Sequence, residues 1–148
     1  MPSMKDLKAL FEEGYTFISE IRVTLTGPPR KVGELRARVL GLAKDDGGRA
    51  ESGIVNFPIV EEPVLEEDGL KALAAWLELH AEEVSAHGLE GEIWINVLFN
   101  SSGSQWIQVS HSLVELISAT GCELNVQFVQ AIPDGELRAI FEARELGL

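Results

Sequence analysis

The sequence has little of several features that would place a protein in a specialised class. A single cysteine in 148 residues excludes an internal disulfide, and no cysteine or histidine spacing is typical of a structural zinc site. No stretch approaches the roughly 20 apolar residues of a membrane-spanning helix, and the N-terminus lacks the basic segment and apolar run of a signal peptide. We therefore expect a soluble cytoplasmic protein with no membrane partner.

Basic residues are also scarce. Twelve Lys and Arg stand against 24 Asp and Glu, which gives a formal net charge of −12 and disfavours binding to nucleic acid. Ten of the acidic residues lie between Glu61 and Glu92, where Lys71 is the only base, and six of the bases lie between Arg30 and Arg49. Charge runs mostly serve solubility. The alternative for the acidic run is a docking surface for a basic protein partner.

The length and an apolar fraction of 45% predict one globular domain. We expect a short N-terminal helix over residues 1–14, a core over residues 15–130 and a C-terminal helix over residues 133–148. Within the core, residues 15–26, 93–99 and 122–128 alternate apolar and polar side chains, which predicts strands. Phe17 is expected to share one strand face with Ile21, Val23 and Leu25. Pro58 interrupts the apolar run 54–60 and indicates an edge strand or an irregular extended segment there.

Small residues at positions 101–104 predict a hairpin turn, after which Trp106, Ile107 and Val109 resume the apolar pattern. Ser112 stands three residues before Glu115, the spacing of a capping box, so a helix is expected to begin at Ser112. Gly121 is suited to ending that helix.

A long helix is predicted from the acidic residues 66–68, whose charge suits the positive end of the helix dipole, to Gly88. At about 100° per residue, Trp76, His80 and His87 fall on one flank of this helix. This flank is a candidate interface, including one between two copies of the chain. The other interpretation is an ordinary covered surface.

These patterns predict an α+β fold, a two-layer sandwich with a mostly antiparallel sheet of about four to five strands and helices packed on one face. The other face would present a mixed polar and aromatic surface of the type used in recognition. Trp94 and Leu98 could instead be covered there by the C-terminal helix or by a second subunit. The candidate binding residues are Arg22, Thr24, Trp94, Asn96, Asn125 and Gln127.

Catalytic chemistry has weak support in the sequence. His80 and His87 are about 10.5 Å apart along a helix at 1.5 Å per residue, too far to share a metal unaided, although Glu83 lies between them. His111 lacks a paired nucleophile, and Cys122 falls on the apolar side of its predicted strand. We expect no catalytic residues, no metal site and no cofactor.

Several features follow one another between residues 15 and 129: an aromatic-led strand, prolines and a short helix, a Ser-Gly pair, a long Leu/Trp helix and a helix ending in Thr-Gly. They include Tyr15, Phe17 and Ser19, then Leu40, Gly41 and Leu42, then Ser52 and Gly53, then Ala119, Thr120 and Gly121. In this order the chain resembles a bacterial family of small α+β proteins described as a domain of unknown function. The family has no established catalytic residues, and some members are similar to immunity proteins that neutralise toxins.

Two functions therefore follow as hypotheses. The first is a non-catalytic, immunity-like interaction protein that binds a basic partner through its acidic surface or its open sheet face. The alternative is a small-molecule-binding protein or enzyme with a pocket between the sheet and the C-terminal helix.

Overall fold

A computed structural model describes residues 9, 14–41, 53–99 and 106–130 of the chain. The two predicted terminal helices therefore lie outside the described residues, apart from Ala9 and Gly14. The elements are β1 (Phe17–Thr26), α1 (Pro29–Val39), β2 (Ile54–Val60), β3 (Val64–Leu65), α2 (Glu66–His87), β4 (Glu90–Phe99), α3 (His111–Thr120) and β5 (Glu123–Gln130).

The strands form one five-stranded sheet in the order β2-β1-β4-β5, and the short β3 also pairs with β1. Strand β1 is antiparallel to β2, β3 and β4, whereas β4 and β5 are parallel. Apolar side chains of α1, α2 and α3 join one buried cluster with the side chains of a single sheet face. The predicted α+β sandwich with a mostly antiparallel sheet is confirmed, and β2 is an edge strand as Pro58 indicated.

Strand β4 does not form the predicted hairpin. Residues 106–110 are not in a strand, and the chain crosses through α3 before β5 pairs in parallel with β4. A parallel neighbour needs such a crossover, since a tight turn joins antiparallel strands. Ile107 and Val109 pack against the buried cluster, so their alternation reflects packing of a loop and not strand pairing.

The predicted face of Phe17 is also wrong. Phe17 lies opposite Leu98, whereas Ile21 lies opposite Ile95, and the register between β1 and β4 shifts at Ser19. One extra residue in a strand reverses the face of every side chain before it. Phe17 therefore lies on the sheet face opposite the helices.

The long helix α2 agrees with its prediction. It begins with three acidic residues and ends at Gly88, whose left-handed conformation (φ 61°) closes the last turn. Leu73, Leu77 and Val84 are buried along its core side. Gly69 lets the first turn lie against the sheet, because a Cβ there would come within 2.9 Å of Ile18 Cδ1 and 3.1 Å of its Cβ.

The N-cap of helix α3 lies two residues earlier than predicted. Its N-cap is Ser110, whose hydroxyl accepts the Leu113 N–H at 3.2 Å, so the expected capping box of Ser112 and Glu115 is not formed. Glu115 instead lies 2.9 Å from His111 Nε2. The predicted end at Gly121 is confirmed, with φ at 72°. None of the helices within the described ranges is long and apolar enough to span a membrane.

Candidate functional site on the open sheet face

The six predicted binding residues lie on one face of the sheet, opposite the three helices, which we call the open face. Arg22 is paired with Trp94, and Trp94 with Asn125, so these three side chains form one row across β1, β4 and β5. The remaining three residues lie in the adjoining rows. Asn96 is paired with Gln127, and Thr24 with Glu92. The strand pairing thus brings together residues that are up to 105 positions apart in the sequence.

Trp94 is held in place by its neighbours. The Arg22 guanidinium lies 5.7 Å from the centre of the Trp94 ring, within the range of a cation–π contact. The indole Nε1–H donates to Glu92 Oε2 at 2.9 Å, and Arg22 also lies 3.2 Å from Glu20. This chain of contacts fixes the ring of a half-buried tryptophan before any partner arrives. A side chain that is already ordered loses less entropy on binding.

On the open face, one polar atom in each of two side-chain amides has no hydrogen-bond partner within the described ranges. Asn96 Oδ1 and Asn125 Nδ2 are both buried, and neither has a partner among the described residues. By contrast, Asn56 Oδ1 on β2 accepts the Thr24 hydroxyl at 2.6 Å. Most buried polar groups in native proteins are paired, and an unpaired one lowers stability. These two amides are therefore the most costly polar groups on this face.

The open face is acidic, which the sequence analysis did not recognise. By the alternation of the strands it carries Glu20, Glu90, Glu92 and Glu123, and Arg22 is the one base among the strand residues on it. A cleft of about 420 Å³ lies at this end of the sheet and is lined by Glu90, Glu92 and Glu123 together with Thr24 and Thr26. The sequence contained this information, since each of these carboxylates lies an even number of positions from a predicted binding residue of the same strand and so projects to the same face.

The face is closed at its other end. Phe17 and Leu98 are opposite each other on it, yet they are only 0% and 9% exposed. Leu98 is therefore buried, and its cover by the C-terminal helix or by a second subunit stays a prediction, because residues 131–148 lie outside the described ranges. Trp94 keeps partial exposure, so the accessible part of the face runs from Thr26 and Glu90 toward Asn96.

The flank of Trp76, His80 and His87 is partly covered. The Trp76 ring lies 5.5 Å from the Phe57 ring and 4.9 Å from the His80 ring, so the tryptophan packs on β2. His87 Nδ1 is 2.7 Å from the main-chain oxygen of Glu83. All three side chains are half-buried. The structure brings Trp76 and His80 together as predicted, and their packing serves the contact between α2 and β2.

The candidate chemical groups are dispersed. His111 lies on α3 beside Glu115, away from His80 and His87 on α2. Burial raises the pKa of the Cys122 thiol above its ordinary value, and a hydrogen bond with Thr120 partly opposes this, so the thiol is less reactive than a free one. Among the residues that the structure describes, no group of three His, Cys, Asp or Glu is placed to hold a metal ion.

A second cleft, of about 520 Å³, lies where α2 begins beside α3. Glu66, Glu67 and Lys71 line it with apolar residues of both helices, and Glu66 Oε1 accepts the Gln108 N–H at 2.9 Å. Glu67 and Lys71 form an ion pair at 3.0 Å. The carboxylates that line this cleft are thus largely occupied by partners of their own. The pocket expected between the sheet and the C-terminal helix lies outside the described residues.

In comparisons with known proteins, no family model, no curated protein and no solved structure matches this chain. The resemblance to the bacterial family of unknown function therefore stays a prediction.

Proposed function

We propose that this protein is a non-catalytic interaction protein that binds a basic protein partner through the accessible part of its open face. The observation that carries the proposal is the concentration of acidic and unsatisfied polar groups around one fixed tryptophan. Four glutamates and one arginine lie on this face, and Trp94 stands between them. Recognition surfaces commonly combine an aromatic anchor with complementary charge.

The charged and polar groups would contribute differently to binding. Exposed carboxylates attract a basic partner over about 10 Å at 0.1 M salt and accelerate its association. Asn96 Oδ1 requires a hydrogen-bond donor and Asn125 Nδ2 requires an acceptor. A peptide group of a partner offers one of each, provided that these half-buried side chains turn to present the two atoms, which have no exposed surface in the free protein. Such a partner would relieve a cost that the free protein already carries.

The immunity-like function is part of this proposal and rests on the resemblance, and the cytoplasmic location is part of it and rests on the single cysteine, which suits a reducing compartment. An immunity protein binds its target tightly enough to block it and needs no catalytic group of its own. The scattered positions of His80, His87, His111 and Cys122 are compatible with that kind of protein. The flank of Trp76, His80 and His87 is the second candidate interface.

The experiment compares two double variants of equal charge change in partner capture from an extract of the source cells. In Glu92→Gln with Glu123→Gln, two carboxylates of the open face are removed. In the control, Glu78→Gln with Glu82→Gln, two exposed carboxylates of α2 are removed instead. We expect the wild type and the control to retain a partner at about 0.05 M salt and to release it at about 0.5 M.

The open-face variant should retain the same partner at least about tenfold more weakly, which corresponds to about 1.4 kcal/mol. Equal retention by both variants would show that the open face is not the binding surface. Equal weakening of both would show attraction by net charge without a defined site. Absence of any salt-sensitive partner would count against the proposed function as a whole.

A further inference from the structure

The two outer strands of the sheet differ in their protection against pairing with another chain. Strand β2 carries Pro58, which has no N–H to donate, and an extra residue at Ile59 breaks its register with β1. Strand β5 pairs with β4 over all eight of its residues without a shift, and the described residues give it no second partner. It contains no proline or lysine, and Glu123 is its single charge. Such an edge readily accepts another strand.

The unprotected edge is also apolar. Phe128 and Val129 are 41% and 38% exposed, and they are consecutive, so one projects on each face of the sheet. Val114, on the helix that leads into β5, is exposed as well. Asn125 adds a buried amide donor without a partner on the same strand. Phe128, Val129 and Asn125 share one strand, and a strand laid against it would cover them together.

The sequence of β5 is complementary to itself in antiparallel orientation. With Val126 opposite Val126 of a second copy, Leu124 faces Phe128 on the helix side of the sheet. On the open face, Asn125 faces Gln127 and Glu123 faces Val129. This register places Leu124 beside Phe128 and Asn125 beside Gln127, and it sets no carboxylate against another. A register centred one residue later would place Asn125 opposite Val129.

We propose that two copies of this chain associate through β5, antiparallel and centred on Val126, to form one continuous sheet. The two-fold axis then stands perpendicular to the sheet, so both open faces lie on the same side of the dimer. The inference goes beyond the proposed function and does not rest on it. Its consequence for that function is a doubled acidic face, which would let one dimer hold two sites of a basic partner or two partners.

The first test is sedimentation velocity of the wild type and two variants over a range of concentrations. The wild-type mass should rise from the 16.2 kDa of one chain toward twice that value. Phe128→Lys places a charge on the β5 edge and should weaken self-association at least about tenfold. Ile54→Lys makes the same change in charge at a 46% exposed apolar residue on β2 and should leave association unchanged. Circular dichroism checks that both variants are folded.

A wild-type protein that stays monomeric up to about 1 mM would overturn the inference. So would equal weakening by Phe128→Lys and Ile54→Lys, because the contact would then not be specific to β5. The second test reads the register by oxidation, in a Cys122→Ala background. Asn125→Cys and Gln127→Cys proteins should form a disulfide dimer when mixed and much less when oxidised separately. Equal yields in all three samples would overturn the proposed register.

Discussion

Replacing Asn96 with valine should make the free protein more stable. The Asn96 Oδ1 atom is buried without a hydrogen-bond partner in the described structure, and an unsatisfied polar atom of this kind costs about 1–3 kcal/mol. Valine removes that atom and fits a half-buried strand position next to Leu98. The Ser19 hydroxyl donates to the main-chain oxygen of Asn96, so that bond is unaffected.

The matched control is Asn56→Val, on the same face of the sheet. Asn56 Oδ1 accepts a hydrogen bond from Thr24, and losing such a bond costs about 0.5–1.5 kcal/mol. Both variants gain the strand preference of valine, which differs in size between the edge strand β2 and the central strand β4. Asn96→Val should therefore gain about 1–2 kcal/mol over the wild type and exceed Asn56→Val by about 1–3 kcal/mol.

The assay is urea unfolding at 25 °C, supported by calorimetry, where a gain of this size raises Tm by about 2–8 °C. The reasoning is refuted if Asn96→Val proves no more stable than Asn56→Val. A cycle with Asn125→Val adds a second check. A coupling energy well above about 0.5 kcal/mol would show that the two amides bond each other, and the free acceptor would not exist.

Three further predictions concern single positions. Gly69→Ala should lower stability by about 1–2 kcal/mol, because the new Cβ meets Ile18, and Ile18→Val should recover part of this loss in a double-mutant cycle measured by urea unfolding. Ser110→Ala should lower the free energy of unfolding by about 1 kcal/mol in the same assay, and Ser112→Ala should lower it much less. The reverse order would show that the helix is capped by Ser112, in the predicted capping box. Cys122 should react with iodoacetamide at pH 8 more slowly than the unfolded chain does, because burial raises the thiol pKa from its ordinary 9.0. The raised pKa also means that the Cys122 thiol holds its proton more tightly in the folded state than in the unfolded state. Its contribution to stability is therefore complete below pH 9.0 and is lost as the pH rises through the higher folded-state pKa. Equal alkylation rates in the folded and unfolded states would contradict the raised pKa.

The sequence predicts well those features that depend on neighbours in the chain. The span of α2 follows from its apolar spacing, its acidic first turn and Gly88, and most of β4 follows from the alternation over residues 93–99, although the strand itself begins at Glu90. The shared face of Arg22 and Trp94 follows from the same alternation, because in each strand these residues project to the side opposite the buried apolar residues. These are local rules, and tertiary contacts did not override them here.

The failures have non-local causes. The parallel pairing of β5 with β4 depends on where α3 packs, which no periodicity encodes. The register shift at Ser19 arises where β1 pairs with β4, and this shift alone moves Phe17 to the other face. The alternation of the strands already placed Asn96 and Asn125 on the open face. Their lack of partners is a property of neighbouring strands, so sequence reasoning placed these residues on one face and did not predict which of their polar atoms would be unpaired.

The polar groups of the open face differ in whether water hydrates them, and this difference indicates which of them would set the specificity of binding. Exposed carboxylates such as Glu92 and Glu123 remain hydrated in the free protein, and each exposed ion pair that they form is worth about 0–1 kcal/mol to any basic partner. The Asn96 Oδ1 and Asn125 Nδ2 atoms are already removed from water, so a partner that pairs with them desolvates nothing further there, but these half-buried side chains must first turn to present them. A partner that lacks the matching donor and acceptor gains nothing from them. The carboxylates would thus favour basic proteins as a class, and the two amides would distinguish one basic protein from another.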